Sequence, residues 1–316
     1  MNDEFHFESF IEKRFYPESL RRIEQALEIL EEYRQRGYDL TLRQLYYQFV
    51  SRDFISNNVK SYNNLGSLVS DARLTGRLPW NAIEDRGRNL MGLPNYASPA
   101  ALIRSMRHRY HIDLWDGQSE RVEVWIEKDA LSQIASRACS KFDVDYMACK
   151  GYMSISEMYD AAQRYDRLYR LYGIKTTIIH LGDHDPSGID MTRDIRDRLG
   201  TLTKTTGMPL GTRPYKVQRI ALSMDQIREY DAPPNPAKAT DARFGKYQSE
   251  YGDESWELDA LDPEVIENLI TDQIEQHIGD GEMFEARRTA EWEGVALLAK
   301  TSAHWDAVVT MLKGKP

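Results

Sequence analysis

Only two cysteines, Cys139 and Cys149, occur in 316 residues. That is too few for a disulfide framework, and they lack metal-ligand spacing. No apolar run approaches the roughly 18 residues needed to span a bilayer. The opening Met1-Asn2-Asp3-Glu4 is acidic and has neither the basic nor the apolar region of a signal peptide. These absences predict a cytoplasmic chain with reduced thiols and no membrane partner. The sequence also lacks a Gly-rich nucleotide-binding loop, an internal repeat and any low-complexity tract.

Positive charge is in short supply: 41 Lys and Arg stand against 50 Asp and Glu, a net of −9. Taken whole, that balance argues against a nucleic-acid partner, but its distribution does not. Residues 1–40 carry 6 basic and 10 acidic side chains, whereas residues 41–112 carry 10 basic and 4 acidic ones, a net of +6. A basic segment followed by an acidic remainder fits a DNA-docking module joined to a metal-binding one. Solvated surface charge without function is the plainer alternative. The 41% apolar and 29% charged content is that of an ordinary globular protein, long enough for two cores.

Residues 18–36 read as an amphipathic helix, with Leu20, Ile23, Leu27, Leu30 and Tyr33 at helical spacing and Gly37 as its terminator. Thr41 reads as the N-cap of a second helix running to about Arg52. A third pattern, Tyr62, Leu65, Leu68, Val69 and Ala72, ends before Gly76. Turn and extended signals from Gly76 to Arg86 predict a hairpin. Three helices and a hairpin make a winged-helix reading. Arg73 and Arg77 would then lie on or near the groove-entering helix, and Arg86 and Arg88 on the wing. A plain packing domain remains the alternative.

From residue 121 strand and helix alternate. Strands fit 121–126, 144–149, 174–182 and 215–222; helices fit 128–141, 154–172 and 186–201. This pattern predicts a mostly parallel α/β sheet covered on both faces. Residues 231–255 lack periodicity and read as a long loop. The tail from Pro263 is helical, with a break near Gly279–Gly281.

Two acidic clusters stand where strands of that sheet would open into helices, at the edge where such folds hold ligands. Glu127 follows Val122-Glu123-Val124-Trp125-Ile126. Asp183-His184-Asp185 follows Thr177-Ile178-Ile179-His180-Leu181. In an extended segment Asp183 and Asp185 project to one side and His184 to the other. Hard oxygen ligands so spaced suit Mg²⁺. Alternatively, Asp185 caps the helix that begins at Pro186 and Glu127 serves a helix dipole.

Upstream, Arg43 and Tyr47 are four residues apart on one helical face. A phenol of pKa near 10 costs roughly 4 kcal/mol to ionise at neutral pH. A neighbouring guanidinium lowers that cost and can hold a phosphate, which equips a tyrosine nucleophile. Equally, Tyr46-Tyr47 can be a pair that packs one ring in the core.

Gly182-Asp183-His184-Asp185-Pro186-Ser187-Gly188, preceded by the Glu127 strand-helix unit, resembles a TOPRIM domain, the metal-binding module of topoisomerases, primases and some nucleases. The Asp-Pro-x-Gly form resembles the topoisomerase VI A subunit and its meiotic double-strand-break relative. That family places a winged-helix domain first and carries Thr-x-Arg-x-x-Tyr-Tyr, here Thr41-Leu42-Arg43-Gln44-Leu45-Tyr46-Tyr47. Gly151-Tyr152 and Glu257-Leu258-Asp259-Ala260-Leu261 resemble later family segments. The likeness spans roughly residues 40–270 and is greatest to compact stand-alone Mini-A homologues.

The resemblance implies a winged-helix domain over 1–115 carrying Tyr47, a TOPRIM domain over 116–270 and a helical segment over 271–316. It implies a homodimer acting on double-stranded DNA. Tyr47, assisted by Arg43, would form a 5′-phosphotyrosyl link, with Mg²⁺ on Glu127, Asp183 and Asp185. Strand passage would need a separate GHKL-type ATPase B subunit. The rival expectations are a hydrolytic TOPRIM nuclease, like that of the Wadjet plasmid-defence system, in which Tyr47 is structural, and a DNA-binding protein without catalysis.

Overall fold

The computed structural model describes residues 5–84, 95–203 and 212–314. Its centre is a four-stranded, wholly parallel sheet of order β4-β3-β5-β6, built from β3 (Glu120–Ile126), β4 (Asp145–Ala148), β5 (Lys175–Leu181) and β6 (Tyr215–Ala221). The fold is mixed α/β, as the alternation in the sequence predicts. Strand β3 shows why. Val122, Val124 and Ile126 point to one face, where they meet α5 (Ser132–Ser140) and α10 (Pro263–Glu275). Trp125 points to the other face, toward α6 (Ile155–Tyr172) and α7 (Pro186–Leu202). A period of two thus serves two buried faces. Between these layers the chain steps from β3 outward to β4, then returns across to β5 on the other side. The strand order reverses between β3 and β5, which is where open α/β sheets leave a crevice.

The amino-terminal part has its own core. Helix α1 (Pro17–Gln35) buries Ile23, Ala26, Ile29, Leu30 and Tyr33. Helix α2 (Leu42–Ser51) starts at Thr41, whose side chain accepts from Gln44 N–H while the Gln44 side chain returns to the Thr41 N–H. That reciprocal cap fixes the start of the helix bearing Arg43 and Tyr47. Helix α3 (Val59–Leu74) starts at the Asn58 cap and buries Leu65, Val69 and Ala72.

The segment after α3 departs from the expected hairpin. Leu78, Ala82 and Ile83 are buried in the helical core, and β2 (Ile83–Glu84) runs parallel to β1 (Leu40–Thr41). Apolar anchoring of Leu78 and Ile83 draws this stretch inward. Arg86 and Arg88 lie outside the described residues.

This unit is tied to α10 and its cap by buried and half-buried polar contacts. Tyr33 donates to Asp262 at 2.8 Å, Tyr38 donates to Glu267 at 2.7 Å, and Arg36 pairs with Asp262 at 2.9 Å. The short 3₁₀ turn Leu258–Ala260 lies against α2, with Ala260 inside the amino-terminal core.

Residues 231–255, expected to be a loop, contain β7 (Asn235–Pro236), α9 (Phe244–Tyr251) and β8 (Glu254–Ser255), the two strands pairing antiparallel. They follow α8 (Met224–Glu229). Helix α9 is anchored by Tyr247 and Tyr251, whose rings meet His184 edge-on, a partner far away in sequence. The carboxyl-terminal helices are α11 (Gly281–Ala303), packed on α4 (Pro99–Met106), and α12 (Trp305–Lys313). Cys139 and Cys149 are buried free thiols whose pKa burial pushes up to about 12. Among the described residues no helix is long and apolar enough to cross a membrane.

Candidate functional site

Glu127 and Asp183 follow β3 and β5 directly and meet at the reversal point of the sheet. Glu127 N–H donates to Leu181 O at 2.9 Å, and the Glu127 carboxylate accepts from Asp183 N–H at 2.8 Å. Two glycines permit this approach. A Cβ on Gly182 would stand 2.9 Å from Glu127 Oε2, and one on Gly188 would overlap the carbonyl of Asp183. Arg219, on β6, braces the turn from behind. Its guanidinium donates to the carbonyls of Gly182, Asp183 and Gly188 at 2.7–2.9 Å. The glycines of the Gly-Asp-His-Asp-Pro-Ser-Gly motif are thus steric requirements of the loop that presents the acids.

The three acids play unequal parts. Asp185 caps α7, its Oδ1 accepting from Gly188 N–H at 2.6 Å and Ser187 Oγ at 2.8 Å. Asp183 is buried, with one oxygen accepting from Leu258 N–H at 2.8 Å. His184 points away from both, as alternation predicts. It is enclosed by Tyr247, Tyr251 and Trp256, and Nδ1 lies 2.9 Å from the Tyr247 hydroxyl.

Burial first, and then the charge of Asp183, push the Glu127 carboxyl up to about 7. Burial likewise raises Asp183, with Lys128 opposing. A hard divalent cation would relieve this mutual repulsion, and carboxylate oxygens are what Mg²⁺ takes. The donors therefore fit the ion chemically. Among the described residues, however, no three His, Cys, Asp or Glu side chains converge as a ready metal-binding group.

A lysine occupies the place beside Asp183 instead. Lys128 Nζ lies 2.9 Å from Asp183, 2.8 Å from Glu257 and 2.7 Å from Asp259. Arg43 reaches the same two distal acids, pairing with Glu257 and, at 2.8 Å, with Asp259. The amino-terminal helix α2 is thereby held through charge on the turn at Glu257–Ala260. Asp259 is fully buried between the two cations, whereas Glu257 keeps 26% of its side chain exposed.

Tyr47 lines a cleft of about 470 Å³ together with Arg43, Asn235, Lys238 and Glu257. Among the described residues its hydroxyl accepts a single long contact, 3.5 Å from Asn235, and Arg43 stands 5.9 Å from its ring centre. Tyr46 lines the same cleft and donates to Asn57 at 2.9 Å. Arg43 favours the Tyr47 phenolate, as the sequence predicts, but burial outweighs it and the net shift is upward. In this state Tyr47 is not activated.

Arg73 and Arg77 fare differently. Arg73 is half-buried, donating to the Trp80 carbonyl at 2.6 Å and lying 4.9 Å over its ring. Arg77 is exposed near Phe15.

Lys128, Arg219, Glu257, Asp259 and Asn235 are the site residues that the sequence did not assign. Glu257 and Asp259 had a signal in the Glu-Leu-Asp-Ala-Leu segment. Arg219 had none. The chain matches no family model, no curated protein and no solved structure.

Proposed function

We propose that the chain is a Mg²⁺-dependent DNA-cleaving transesterase of topoisomerase VI A-subunit type, acting on double-stranded DNA as a homodimer. The observation that carries this reading is that Arg43, one turn from Tyr47, pairs with Glu257 and Asp259, the acids that also hold the Lys128 paired with Asp183. Tyr47 Oη would lose its proton to solvent and attack phosphorus, the bond to the 3′ oxygen would break, that oxygen would leave as a hydroxyl by taking a proton from solvent, and the 5′ phosphate would remain on the tyrosine. Glu127, Asp183 and the free oxygen of Asp185 would hold Mg²⁺, which supplies neutralisation of phosphate charge when bound. Arg43 would hold the phosphate and favour the phenolate. In this reading residues 1–115 would act as the DNA-docking winged-helix module and residues 116–270 as a TOPRIM unit. Strand passage would require the separate GHKL-type ATPase subunit.

The hydrolytic reading has one observation of its own. Tyr47 is buried with its pKa raised, and Arg43 is engaged by Glu257 and Asp259. A water nucleophile would need neither group rearranged.

The two separate on supercoiled plasmid with Mg²⁺ or Mn²⁺, denatured with and without protease. Transesterification predicts DNA trapped on protein, abolished in Tyr47→Phe. Free ends that survive Tyr47→Phe would establish hydrolysis instead. Asp183→Ala should end both, and cutting retained there refutes the metal assignment. Tyr47→Phe should leave stability within about 0.5 kcal/mol, since only one long contact is lost.

A further inference from the structure

We infer that the space between Lys128 and Arg43 is a seat for a phosphodiester oxygen, held in this structure by the carboxylate of Glu257. One Glu257 oxygen, Oε2, contacts both cations, lying 2.8 Å from Lys128 Nζ and pairing with Arg43 Nη2. An ammonium and a guanidinium converging on one oxygen is how proteins grip phosphate as well as carboxylate. The two acids that occupy these cations differ in kind. Asp259 is wholly buried, touches both, and would keep them in place whatever the cleft holds. Glu257 is partly exposed and lines the cleft that also holds Tyr47, so solvent and ligand can reach its seat. A phosphate displacing the Glu257 side chain would keep both ion contacts and lie in the cleft that Tyr47 lines. Glu257 is then an internal stand-in for substrate, lowering affinity for DNA until a phosphate competes it away.

This inference rests on the proposed function for its DNA ligand and for Arg43 as a phosphate-holding group, but it does not need cleavage. Its test is therefore binding without metal. A short fluorescent duplex of arbitrary sequence is titrated in EDTA at several salt concentrations against the full chain, Glu257→Gln, Glu257→Ala and Glu254→Gln. Glu254 is exposed and nearby, so its variant matches the charge change. Opening the seat should tighten binding roughly tenfold in both Glu257 variants and steepen the log-affinity against log-salt slope by about one, the value for one added phosphate contact. Glu254→Gln should gain clearly less. Adding Arg43→Gln or Lys128→Met to Glu257→Gln should erase the gain. Equal affinities for the parent and Glu257→Gln, whether tight, weak or absent, overturn the inference, as does an equal gain in Glu254→Gln. A gain that survives loss of either cation overturns it too. Tighter binding with no cutting in Mg²⁺ would leave this seat standing and refute the cleavage reading alone.

Discussion

The Lys128 ammonium lies 2.9 Å from the Asp183 carboxylate, with the neighbouring Glu127 carboxylate held by the Asp183 N–H. One residue position separates a group that adds negative charge to the sheet edge from the group that neutralises it. The balance is local, and so it can be tested one side chain at a time.

Glu127 should set a pH-dependent cost. Its folded pKa of about 7 lies above the ordinary 4.5, so the folded state binds the proton more tightly. Any stability this gives is present below the unfolded value and lost as pH rises through the folded one. Glu127→Gln in EDTA should thus exceed the parent by about 3 kcal/mol above neutrality and converge with it near the ordinary carboxylate range. The comparison must be a difference between variants, because buried His180 and His184, lowered to about 3 and about 4, act in the opposite direction. Urea denaturation at stepped pH reads this directly. A constant difference across pH would refute it.

The glycine of the Asp-Pro-Ser-Gly turn should be irreplaceable on steric grounds. Gly188→Ala places a methyl against the Asp183 carbonyl, a backbone atom that cannot yield cheaply. A loss of at least about 3 kcal/mol is expected, at the upper end for point variants. Gly245, in α9 with nothing within 4 Å of its Cβ position, gives the contrast. Gly245→Ala should raise stability by about 0.5–1 kcal/mol through helix propensity. Thermal unfolding of the pair settles both.

Arg219→Met should cost about 3 kcal/mol, because it strands buried carbonyls of Gly182, Asp183 and Gly188 that now share one guanidinium. Since those carbonyls belong to the acid loop, amide exchange near Gly182 should speed up more than exchange in α1. Uniform acceleration across both regions would deny Arg219 its local role.

Much of the framework was legible because its causes are local. Thr41 and Gln44 announce the start of α2 within four residues, and the alternation Val122, Val124, Ile126 announces β3. The parallel sheet followed from such segments. Helix α9 was illegible because its aromatic residues are ordered by His184, some sixty residues earlier in the chain. The same reason hid the ion cluster. Lys128 read as a residue at a helix start, since Glu257 and Asp259 reach it only through tertiary packing. Asp185 was legible in both of its offered roles, and the structure gives it the cap. The direction of the Tyr47 shift could not be read from Arg43 alone, because burial of the ring by its surroundings decides it.

The two buried thiols carry a practical consequence. Cys139 and Cys149 are both enclosed and, with pKa values near 12, almost entirely protonated at neutral pH. To a maleimide in solution the folded chain offers no reactive sulfur. A cysteine placed at exposed Tyr16 or Val59 would therefore label alone, on an otherwise unaltered background. Spectroscopic rulers across α1, α3 and the sheet can be installed without first engineering the native protein.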